Sequence, residues 1–96
     1  MNEYIEIGNV LGRVSRVIFK DGLPMFKVYF YADSNKGAYQ HVTVAFPLMQ
    51  VENNSGFSDE EVNTLRDYCI SNYSMIEQIA WSRGTVFFLT PELPRF

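Results

Sequence analysis

The stretch GLPMFKVYFYADSNKG, residues 22–37, decides how the chain is read. Side chains alternate between the two faces of a strand. Phe26, Val28, Phe30 and Ala32 then share one face, an ordinary core stripe. Lys27, Tyr29 and Tyr31 share the other, which is aromatic and basic where a half-buried strand usually meets water. Residues 25–32 are therefore expected to form a strand with a ring-rich contact face. The stretches KDGLP at 20–24 and DSNKG at 33–37 bound it, with Asp21-Gly22 and Pro24 as turn punctuation.

Upstream, EYIEIGNVLGRVSRVIF at 3–19 reads as one long extended segment. Gly8 and Gly12 interrupt it, and the apolar phase slips between Val14 and Val17. Glycine in a strand together with a slip of phase predicts a bulge or sharp bend. Downstream, AYQHVTVAFP at 38–47 is a third strand. Its Val42, Val44 and Phe46 face the core, and its Tyr39, His41 and Thr43 share the opposite face. Three sequential strands joined by short turns make an antiparallel meander.

Residues 48–56 read as a loop. GFSDEEV at 56–62 is a helix start: Ser58 and Glu61 form a capping box, and Phe57 and Val62 a hydrophobic staple. Asp59, Glu60 and Glu61 suit the positive end of the helix dipole. Val62, Leu65, Cys69, Tyr73, Ile76 and Ile79 or Ala80 recur at helical spacing, which predicts one helix over 58–81. SNYS at 71–74 is a poor helix former and a place for a bend. Gly84 ends the helix. TVFFL at 85–89 reads as a final strand, and Pro91 and Pro94 keep the tail out of a central position.

The 96 residues suffice for one domain, 1–96, with one core. Apolar residues at 47% and charged residues at 20% mark a globular chain, and 16% aromatics is high. The net charge of −3 argues against a strongly basic nucleic-acid binder. The charge is uneven, however. Residues 1–48 carry five Lys/Arg against four Asp/Glu, and residues 49–96 carry three against seven. Cys69 is the single cysteine, so no internal disulfide forms and a reducing cytosol is expected. No signal-peptide pattern and no membrane-spanning apolar run is present.

The catalytic inventory is thin. One histidine and one cysteine make neither a zinc set nor a nucleophile with its base. Cys69 lies on the apolar helix stripe and His41 on a polar strand face. The glycines do not form a phosphate-cradling loop. Asp59, Glu60 and Glu61 need no metal as a capped helix start. No enzyme, metal or cofactor is expected.

The polar sheet face remains. If strands two and three pair, Lys27, Tyr29 and Tyr31 lie beside Tyr39, His41 and Thr43, and Arg13 and Ser15 join them. Single-stranded nucleic acid is bound by such surfaces: rings stack on bases, and cations meet phosphates. Tyr29, Tyr31 and Tyr39 are the stacking candidates; Arg13, Lys27 and His41 are the phosphate candidates. The alternatives are a protein interface, with a homodimer or another chain burying the tyrosines, and plain structural packing, with the long helix or PELPRF at 91–96 covering the face. On the interface reading Glu52, Asp59, Glu60 and Glu61 meet a basic partner, and the chain is a small inhibitor or adaptor.

The segment NVLGRVSRVIFKDGLPMFKVYFYADSNKG, residues 9–37, resembles the first half of the single-stranded-DNA-binding proteins of bacteria, phages and mobile elements. Gly12-Arg13-Val14 and Gly22-Leu23-Pro24 carry the resemblance, followed by the alternating aromatic strand. It implies an oligonucleotide-binding barrel and a phage or mobile-element setting. The helix is longer than that family's, no fifth strand follows Leu89, and the tail lacks the family's acidic run. The expected fold is thus α+β, a strongly bent antiparallel sheet in the order β-β-β-α-β with one long helix. Whether it closes as a small OB-like barrel stays open at this point.

Overall fold

The computed structural model describes residues 4–7, 10–33, 39–82 and 85–86. The chain is α+β, a sheet antiparallel except for its last strand, with two helices against one face. The strands are β1 (Tyr4–Ile7), β2 (Val10–Val14), β3 (Val17–Lys20), β4 (Leu23–Asp33), β5 (Tyr39–Phe46), β6 (Gln50–Ser55) and β7 (Thr85–Val86). The helices are α1 (Asp59–Ser71) and α2 (Tyr73–Ser82).

The long central strand β4 organises the sheet. One of its edges pairs antiparallel with β5, from Phe26–Phe46 to Asp33–Tyr39. Its other edge pairs with β2 and then with β3. Outside those lie β1, antiparallel to β2, and β7, parallel to β3. β6 follows β5 on the far side. Among the described residues no pairing joins β6 to β1 or β7, so the sheet is not closed into a barrel.

The phase slip in the sequence is a bulge between β2 and β3. Val14 stands opposite Val28, but Ile18 stands opposite Met25, so one extra residue is accommodated. The Ser15 amide donates to the Lys27 carbonyl at 2.8 Å. The Lys27 amide donates in turn to Ser15 Oγ at 2.8 Å. A serine hydroxyl here takes the part of a missing strand carbonyl. The extra residue returns Val17 to the face of Val14, and both are fully buried in one core. Asp21 and Gly22 both have positive φ, 54° and 81°. That is the geometry of a two-residue hairpin whose twist matches its strands.

The helices cover the face of Phe26, Val28, Phe30, Val42, Val44 and Phe46. Val62, Leu65, Cys69, Ile76 and Ala80 supply the buried stripe opposite. Phe26 and Phe46 stack at 4.6 Å between centroids, with Tyr73 tilted 5.2 Å from Phe46. The capping box is complete: Glu61 N–H donates to Ser58 Oγ at 3.1 Å, and Ser58 N–H donates to Glu61 Oε1 at 2.8 Å. Such a cap contributes about 1 kcal/mol. Phe57 and Val62 are both buried in the core, as a staple requires.

Three expectations are corrected. The extended segment at 3–19 is not one strand: β1 and β2 pair antiparallel, with Ile7 opposite Val10, so the chain doubles back between them. The single helix over 58–81 is two helices broken at Asn72, whose φ of −117° leaves the helical region. The Asn72 amide and its Nδ2 both donate to the Tyr68 carbonyl at 3.0 Å, so the side chain competes for a backbone acceptor. The loop at 48–56 contains β6. Apart from Val51 its residues QVENNS are poor strand formers, and all but Glu52 are exposed. Backbone pairing to β5 forms this edge strand, with a register shift opposite His41–Thr43. Asn53 at φ 54° sits in that bulge, an irregularity that blunts an exposed edge. Of the expected strand at 85–89, residues 87–89 lie outside the described residues, as do Gly8, Lys36, Gly84 and the tail at 90–96. No described helix is long and apolar enough to cross a membrane.

Candidate functional site

The pairing register assembles the expected face. Tyr29 lies between Arg13 on β2 and Thr43 on β5. Tyr31 lies between Leu11 and His41. Lys27 lies beside Ala45. The backbone of Tyr39 pairs with Asp33 at the end of the same ladder; its side chain lies outside the described residues.

The expectation that these rings meet water is corrected. Tyr29 is 6% exposed, Tyr31 3% and Arg13 8%. Thr43 and Ala45 are buried with them. None of the five belongs to the helix-side core, so both faces of the central sheet exclude water. β4 is flanked on both edges, and each tyrosine has a cross-strand neighbour on either side. Tyrosine and arginine carry large apolar bodies and are readily buried on a central strand. His41 is half-buried and retains some access.

Lys27 is committed elsewhere. Its Nζ lies 3.0 Å from Glu52 Oε1 on β6, a partly exposed ion pair. Such a pair contributes about 0–1 kcal/mol. It joins one phosphate candidate to one of the carboxylates expected to meet a basic partner. Glu61 is likewise held by the capping box. Asp59 and Glu60 remain exposed on the first turn of α1.

Cys69 is fully buried, and burial pushes its thiol up to about 12. A thiol so placed is a small apolar core residue. In the unfolded chain it ionises near its ordinary value of 9.0. The folded state thus holds the proton more tightly, and stability is full below pH 9 and falls as pH climbs toward 12. Urea titrations across that range should show a loss that shrinks in Cys69→Ala. An identical slope in the variant would assign the alkaline loss to other groups. Among the described residues, no group of three or more His, Cys, Asp or Glu stands where it could hold a metal ion.

Exposed apolar residues are the part of the surface that strand reading misses. Leu48 in the turn after β5, Leu23 at the start of β4 and Ile70 on α1 are the clearest. Ile70 carries a faint signal in the sequence, since it is apolar but adjoins the Cys69 stripe rather than lying on it. Leu48 carries none.

Comparison with known proteins finds no match: no protein-family model, no curated protein and no solved structure matches this chain.

Proposed function

We propose that this chain is a small, non-enzymatic protein-interaction module, acting as an inhibitor or adaptor of another macromolecule. The burial of Tyr29 and Tyr31 carries the reading. A base stacks only on a ring whose face is open. With Lys27 paired to Glu52 and Arg13 buried, the aromatic and basic face has little left to offer a strand of nucleic acid. What stands exposed on α1 and on the turn after β5 is apolar and acidic: Leu48 and Ile70, with Asp59, Glu60 and Asp67 along α1. A lone buried thiol fits a cytosolic setting.

Single-stranded nucleic-acid binding, with the barrel and the phage or mobile-element setting implied at residues 9–37, is the competing reading. The discriminating experiment is a titration of the intrinsic fluorescence with oligo-dT, first at low and then at high salt. The expected result is no saturable quenching at micromolar protein, together with a protein partner captured from the native host. Saturable quenching that weakens with salt would overturn the module reading and return the function to Tyr29, Tyr31 and Tyr39.

A further inference from the structure

The turn after β5 runs along the helix pair. At one end the Phe46 ring lies 5.2 Å from the Tyr73 ring. At the other, Arg66 Nε donates to the Met49 carbonyl at 3.2 Å. These two contacts bracket Leu48 on the turn and Ile70 on α1. Leu48 is 82% exposed and Ile70 55%. Arg66, Ile70 and Tyr73 follow at helical spacing, and the hydrogen bonds through Asn72 carry the turn across the break. Two large exposed apolar side chains thus lie in the segments between these two contacts, with half-buried Tyr73 at one end.

The charge on the helices is mostly of one sign. Asp59, Glu60, Glu61, Asp67 and Glu77 lie on the helices, against Arg66 as the one cation there. Asp67 stands one turn before Ile70, and Glu77 one turn after Tyr73. Arg66 is itself turned toward the Met49 carbonyl. An apolar centre with an acidic rim fits a partner of opposite charge.

We propose that Leu48, Ile70 and Tyr73 form a docking surface for a partner protein's amphipathic segment, with apolar residues flanked by lysines or arginines. The proposal rests on the interaction-module reading. Apolar anchors fill the space between turn and helix, while the basic flank meets Asp67 and Glu77. Nucleic acid and anionic membranes are repelled by the same rim.

The test uses a short fluorescein-labelled peptide of leucines and lysines in helical register, and a leucine/glutamate counterpart. Anisotropy should show saturable binding of the first and none of the second. Leu48→Ser/Ile70→Ser should weaken it about tenfold, both positions being exposed and the fold intact by circular dichroism. Asp67→Asn/Glu77→Gln should weaken it about threefold, with a shallower salt dependence. Affinity of the double serine variant within about twofold of wild type would overturn the site. So would equal binding of the glutamate peptide, or no binding of the lysine peptide. A native partner captured equally by the serine variant overturns the site but leaves the module reading standing. No partner captured by the unaltered chain overturns that reading itself.

Discussion

Replacing Phe46 with alanine should lower the free energy of unfolding by about 3–5 kcal/mol. Phe46 is fully buried at the end of β5, stacked on Phe26 and tilted against Tyr73. It is one of the points where the sheet meets the helix pair, so its removal leaves a cavity that neither layer can close without moving the other. A chain of this length is expected to have a total stability of about 5–14 kcal/mol. The variant should therefore be near the limit of folding, with a much lower urea midpoint. A loss under about 1 kcal/mol would mean that Phe46 does not bridge the two layers.

Tyr29→Ala and Tyr31→Ala should each cost about 3 kcal/mol or more in the same measurement. Both rings are buried on the central strand, on the face away from the helices. Truncation removes a large buried apolar body from the row that β4 shares with β2 and β5. This inverts what an open stacking platform would do. Exposed platform residues can be truncated with a change of about 0.5 kcal/mol in stability, while binding is lost. Stable, fully folded alanine variants at both positions would show that this face opens in solution, and would revive the nucleic-acid reading.

These two residue sets differ in how much of their setting could be read in advance. The inward stripe Phe26–Val28–Phe30 and its partner Val42–Val44–Phe46 was legible, because period two and period 3.6 are local properties. The Asp21-Gly22 hairpin was legible because few residue pairs accept two positive φ angles in succession. The bulge at Ser15–Arg16 showed as a slip of apolar phase, and the helix start as Ser58 with Glu61. The candidate face was also assembled correctly as a set of neighbours, since alternation and antiparallel pairing bring Arg13, Tyr29 and Thr43 into one row.

By itself, then, the sequence determined the class of the fold, the meander around β4, the helix start and the residues that share each face. It did so because each depends on neighbours a few positions away. The tertiary structure alone decided whether the second face is wet. Alternation says which way a side chain points, and water is excluded only by what lies on every side of it. The same holds for β6, a polar edge strand that exists through its pairing to β5. It holds for Lys27 and Glu52, 25 residues apart in the chain and joined across two strand spacings. It also holds for Phe46 and Met49, whose contacts with Tyr73 and Arg66 fasten the turn after β5 to the helices. Contacts between distant segments have no period in the sequence, and only the folded chain brings them together.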